Sequence, residues 1–136
     1  MTVADIPDAL ALWDGMPGLS LFPSDSVEGL ARYLWRNPDL SVIARVGGRV
    51  IGAALAGHDG RRGFLHHVAV APDYRRRGLG RAMVEWCLGR LTAAGIGRCL
   101  IFVNAGNEEA KAFWRRVGWD DRPVQVMART MDPEKA

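Results

Sequence analysis

With 136 residues, 49% of them hydrophobic and 24% charged, the chain has the size and composition of one soluble globular domain, residues 1–136, with a sizeable core. A net charge of +3 is too small to point to nucleic acid, and two cysteines make neither a disulfide framework nor a metal knuckle, so a reducing cytoplasm is the expected setting. No apolar run approaches the roughly 18 residues of a membrane span, and the opening MTVADIPDAL lacks the basic and apolar regions of an export signal.

DIPDALALWDGM predicts a short helix with Asp5 as its N-cap, followed by Ala9, Leu10, Leu12 and Trp13. SDSVEGLARYLWRNP predicts a second, with Leu30, Leu34 and Tyr33 on one face and an end before Pro38. LSVIARVGGRVIGAALAG reads as a hairpin turning at Gly47-Gly48, a pair that accepts the positive φ of a tight turn. HDGRRG is a further turn, and FLHHVAVA a third strand; connections this short make all three antiparallel. Leu79, Ala82, Met83, Trp86, Cys87 and Leu91 then recur at helical spacing, predicting a helix buried on that face and ending near Gly95. RCLIFVN is expected as a near-continuous buried strand, parallel to FLHHVAVA across the helix. NEEAKAFWRRVGW is a helix capped by Asn107, with Glu108 and Glu109 at its positive end and Arg115 and Arg116 in its last turn. VQVMART is expected as a closing strand. The whole is an α/β chain with a mixed, mostly antiparallel sheet and helices on its faces.

Arg75, Arg76 and Arg77 stand where the third strand gives way to a helix, just before Gly78 and Gly80. The first N–H groups of a helix lack intrahelical partners, and its dipole makes that end positive. Glycines let a ligand approach the backbone, and the arginines add charge-assisted contacts, so the turn suits a pyrophosphate. A P-loop is excluded because Arg81-Ala82 follows Gly80 where Lys-Ser/Thr is needed. A dinucleotide fingerprint is excluded because Met83 occupies the third glycine position and the next strand ends in Val103-Asn104 without an acid.

The remaining pattern, R-x-x-G-x-G after V-A-V-A-P, resembles the acetyl-CoA-binding motif of the GNAT superfamily of N-acetyltransferases. Downstream, Asn107, Ala110, Phe113, Gly118 and Trp119 are similar to that family's second motif, a helix opened by asparagine. GHDGRRG is further similar to small bacterial members of the YpeA type. The resemblance implies a GNAT fold and a metal-free, acetyl-CoA-dependent transfer of an acetyl group directly to a primary amine. It implies pyrophosphate contacts at Arg75, Arg76, Arg77, Gly78, Gly80 and Arg81, and a pantetheine arm running along Val68, Ala69 and Val70. It also places Asn107 and Trp114 at the cofactor. Relatives often carry a tyrosine acid where Trp114 stands, and indole does not release a proton.

His66 and His67 adjoin Val68, and strand alternation allows only one of them to face the amine; His67 is the candidate base. The family's usual first strand is not seen before the first helix: either the sheet lacks it, in which case a free sheet edge suggests a homodimer, or the natural start lies upstream. Two other readings compete: a coenzyme A-binding regulatory module without turnover, and an acetylase of protein N-termini or lysines. The acceptor has no signature in MPGLSLFPSDS or DDRPVQ.

Overall fold

Gly47 and Gly48 make the hairpin that the sequence asks for: both have positive φ, 54° and 80°, and β1 (Val42–Val46) returns antiparallel as β2 (Arg49–His58). The computed structural model describes residues 1–136. β2 pairs antiparallel with β3 (Gly63–Val70), and β3 pairs parallel with β4 (Cys99–Ile101), giving the sheet order β1-β2-β3-β4. Helices α1 (Ile6–Trp13) and α2 (Val27–Arg36) precede the sheet. Helix α3 (Leu79–Ala93) makes the crossover between β3 and β4, and α4 (Glu108–Arg116) follows. No strand precedes α1.

Alternation along β2 divides the apolar side chains between two cores. Ala53 and Leu55, with Ala69 of β3, meet Ile6, Ala9, Trp13, Leu30 and Leu34 from α1 and α2. Ala54 and Ala56, with Leu65 of β3, meet Val84, Cys87 and Leu91 from α3. Three of these β2 residues are alanines, so the larger side chains come from the helices and the helices approach the strand closely. Each large side chain so buried contributes about 1.5–3 kcal/mol.

Several expected elements differ. Asp5 does not cap α1: its carboxylate turns back to accept from the Thr2 N–H at 2.7 Å and from Arg45 at 2.9 Å. Trp86 is 44% exposed beside the Arg90 guanidinium, and Val84 takes its place in the core, because the buried stripe of α3 runs through Met83, Val84, Cys87 and Leu91. β4 is three residues long, and Phe102 beyond it is 61% exposed. VQVMART forms no strand; Val124, Val126 and Met127 are exposed and lie in no ladder. Val-x-Val alternation supplies a face for a strand, but the hydrogen-bonding partner has to come from a neighbouring edge.

Candidate active site

β3 and β4 run side by side only through Gly63–Leu65 and Cys99–Ile101, then part. The opening leads into a cavity of about 1430 Å³ lined by β3, the turn after it, α2, α4 and the loop before α2. Ala71 N–H bonds Ile51 O on β2, so alternation turns the amides of Val70 and Val68 toward the cleft. Ala69 pairs with Ala53 instead, and its side chain lies in the first core. Of the three pantetheine-strand residues expected from sequence, two thus present backbone donors to the opening.

At the far end of β3 the chain enters the arginine turn. A bidentate Arg49–Asp73 pair, at 2.7 and 3.0 Å, pins the turn's start. Arg76 has φ 59° and Gly78 φ 80°, left-handed conformations that fold the backbone into a concave turn ahead of α3. A Cβ on Gly80 would stand 3.3 Å from the Phe113 ring, so the absence of a side chain there is what lets α4 close on the turn. Arg75 donates through Nε to Val70 O at 3.2 Å and reaches Met16 Sδ at 3.1 Å. Arg76 and Arg81 line the cavity without a protein partner, whereas Arg77 lies over the Tyr74 ring at 5.0 Å and is not part of the lining. Asn107 caps α4 by accepting the Ala110 N–H at 3.0 Å, and it lines the cavity together with Trp114. Trp114 packs edge-on between Phe113 and Trp119, at 5.1 and 5.0 Å.

The histidine pair departs from simple alternation. Between the Ala53–Ala69 and Leu55–His66 pairs, β3 spends two residues against one of β2, a β-bulge at His67, whose φ is 51°. The bulge turns His67 to the same face as His66, so both rings line the cavity. The expectation that only one histidine could face the pocket is thereby corrected. His67 lies 5.2 Å from the Trp13 ring, and its Nε2 is 2.8 Å from Asp25 Oδ1.

Burial works to raise the Asp25 carboxyl, but the His67 bond, the Phe22 N–H at 2.9 Å and the histidine charges outweigh it and hold the group below its usual range. A carboxylate can only accept, so Nε2 carries the imidazole proton and Nδ1 keeps its lone pair. Nδ1 has no protein partner. His66 is lowered by its burial and next by the charge on His67. It stacks on Phe64 and meets Tyr33 edge-on at 6.3 Å.

Opposite these rings stands α2. Gly29, Arg32, Tyr33 and Arg36 line the cavity at helical spacing, and the Tyr33 hydroxyl is buried without a partner. Burial raises the Tyr33 phenol above its usual range, so it is a poor acid at neutral pH.

The family model for GNAT acetyltransferases matches residues 11–119. The chain belongs to the GNAT acetyltransferase family. Among its relatives, an acetyltransferase of Sodalis glossinidius is 28% identical over 116 residues, covering 85% of this chain and 81% of that protein. An acetyltransferase of Yersinia pestis (strain Pestoides F) is 25% identical, covering 93% of this chain and 89% of that one. Among solved structures, the PaiA N-acetyltransferase of Thermoplasma acidophilum in complex with coenzyme A superposes with a TM-score of 0.77 at 15% identity, over 92% of this chain and 89% of that one. The aminoglycoside N-acetyltransferase AAC(6')-Iy in complex with coenzyme A does so at 0.73 and 19% identity, over 97% and 92%. At these identities the two structures speak for the fold, and the GNAT fold expected from the sequence is borne out.

In this GNAT acetyltransferase the motif residues make one wall of the cavity. The other wall, with Asp25, Arg32, Tyr33 and Arg36, belongs to no motif that the sequence displayed. Asp25 lies 42 positions from His67 and reads, in sequence, as an ordinary acid ahead of a helix. The only visible signal for the arginines is their four-residue spacing on α2, which puts them on one face.

Proposed function

We propose that this chain transfers an acetyl group from acetyl-CoA directly to a primary amine, with His67 as the base that takes the amine's proton. The observation that carries the reading is the bulge at His67, which sets a carboxylate-held imidazole next to Val68 where β3 parts from β4. The residues present fit a coenzyme. The turn from Arg76 to Arg81 offers the unpaired guanidiniums of Arg76 and Arg81 and the free N–H groups of α3 to a pyrophosphate, and a side chain on Gly80 would push Phe113 of α4 off the turn. The edge amides of Val68 and Val70 are free to pair with a pantetheine arm, and one of them is placed to polarise a thioester carbonyl.

Acetyl-CoA brings an activated acetyl group on a thiol leaving group. The chain's own part is to orient and to move one proton. Nδ1 of His67 accepts a proton from the amine as its nitrogen bonds to the acetyl carbon and the carbon–sulfur bond breaks. Asp25, accepting from Nε2–H, fixes the tautomer and stabilises the imidazolium that forms. Trp114 can donate a hydrogen bond to the departing sulfur but no proton, so water protonates the thiolate. The products are an N-acetylamine and a free thiol.

Thiol release from acetyl-CoA in the presence of a panel of primary amines tests the reading. We expect His67→Gln to lower kcat by about a hundredfold or more while calorimetric affinity for acetyl-CoA is retained. Equal rates in wild type and variant would remove His67 from the mechanism. Absence of amine-dependent thiol release would leave a coenzyme-binding module without turnover.

A further inference from the structure

We infer that the amine acceptor of this chain carries an anionic group, a carboxylate or a phosphate, held by Arg32 and Arg36. The inference rests on the transfer reading and concerns the acceptor wall of the same cavity. Leu30 and Leu34 anchor α2 to the first core, and this fixes which of its faces looks into the cavity. On that face Gly29, Arg32, Tyr33 and Arg36 follow one another at helical spacing. The two guanidiniums are therefore one helical turn apart on one wall.

Neither has a protein partner. Arg45, Arg49, Arg61 and Arg115 each hold a carboxylate, and Arg90 holds the Asp39 carbonyl, but no hydrogen bond or ion pair involves Arg32 or Arg36. Glu28, the acid of α2, does not line the cavity. Asp25, the carboxylate of this wall, is already taken by His67 and the Phe22 N–H. The cavity's other acid, Glu109, stands on α4, the helix that meets the phosphate turn through Phe113, and Arg116 of the same helix lines the cavity with it.

The acceptor wall thus presents two unpaired positive charges, while the Tyr33 hydroxyl is buried on the Gly57 side of its ring. Guanidinium forks match carboxylate and phosphate oxygens two at a time, and a cleft lined by one sign of charge concentrates ligands of the other. His66 and Phe102, with ring centroids 6.1 Å apart, line the same cavity as the arginines and His67 and offer ring surface to the carbon spacer between amine and anion. A polycationic amine would meet repulsion from this wall.

The test compares kcat/KM for γ-aminobutyrate and phosphoethanolamine with their neutral matches n-butylamine and ethanolamine, and with spermidine. Wild type and the Arg32→Gln, Arg36→Gln double variant are assayed by thiol release, with acetyl-CoA affinity measured separately. Both side chains are exposed, so the variant keeps the packing of α2. The expected result is a preference of about tenfold or more for at least one anionic amine over its neutral match, which collapses in the double variant and weakens with salt. Whether γ-aminobutyrate or phosphoethanolamine leads distinguishes carboxylate from phosphate. Preference for the neutral amines or spermidine, or a preference that survives in the double variant, overturns the inference while leaving acetyl transfer in place. No thiol release with any amine overturns the transfer reading itself, and the inference with it.

Discussion

Asp25→Asn is the substitution that separates orientation of His67 from its mere presence. In the native site Oδ1 accepts from His67 Nε2 at 2.8 Å and Oδ2 accepts from the Phe22 N–H at 2.9 Å. An asparagine has one oxygen for these two donors. If it stays with the Phe22 N–H, the amide N–H₂ faces Nε2, which must then become the acceptor. The imidazole proton moves to Nδ1, and the lone pair that takes the amine's proton disappears. The volume is unchanged and both side chains are mostly covered, 16% exposed for His67 and 13% for Asp25, so the packing survives. Exchanging a charge-assisted bond for a neutral one should cost about 1–3 kcal/mol of stability, while loss of a general base should lower kcat by about 10²–10⁴. Thermal melts and initial rates of thiol release on the same preparations read both quantities. A variant within threefold of wild type in kcat would refute the assignment of Nδ1 as base.

His66 gives a pH-dependent prediction. Burial holds it below its ordinary value of 6.5, so in mild acid the unfolded chain binds more protons than the folded one. The stability it contributes is fully present above that value and is lost as pH falls through the lowered one. Between pH 7 and pH 5 the wild-type melting temperature should fall further than that of His66→Phe, and parallel curves would contradict this. Leu91, 1% exposed beside Val84 and Cys87, should cost about 2–5 kcal/mol when changed to alanine, measured by urea unfolding. Trp86→Ala should cost less than about 1 kcal/mol by the same measurement, because its ring is open to solvent; equal losses would put Trp86 back in the core.

What the sequence displayed was what a few neighbouring residues decide. Gly47-Gly48 dictates its turn, Asn107 its cap, and the run from Arg75 to Gly80 its concave loop, because each is a matter of local backbone geometry. The parallel crossover followed from the same local pattern. The site's other half was not local. Alternation misjudged the histidines because one bulged residue reverses every assignment on one side of it, and nothing in HHVAV announces the bulge. Asp25 meets His67 through the packing of α1 and α2 on the sheet, a tertiary fact. Trp86 had the right spacing for the core but sits at the edge of a stripe that Val84 fills more compactly. VQVMART has strand alternation without a partner edge.

A calorimetric titration of acetyl-CoA into wild type and Gly80→Trp goes most directly to the coenzyme cradle on which the functional reading stands. The indole would enter the space in which α4 meets the phosphate turn, where even a Cβ lies 3.3 Å from Phe113. Saturable micromolar binding by wild type, lost in a variant that keeps its circular dichroism, is the expected result. No heat of binding by folded wild type would contradict the reading.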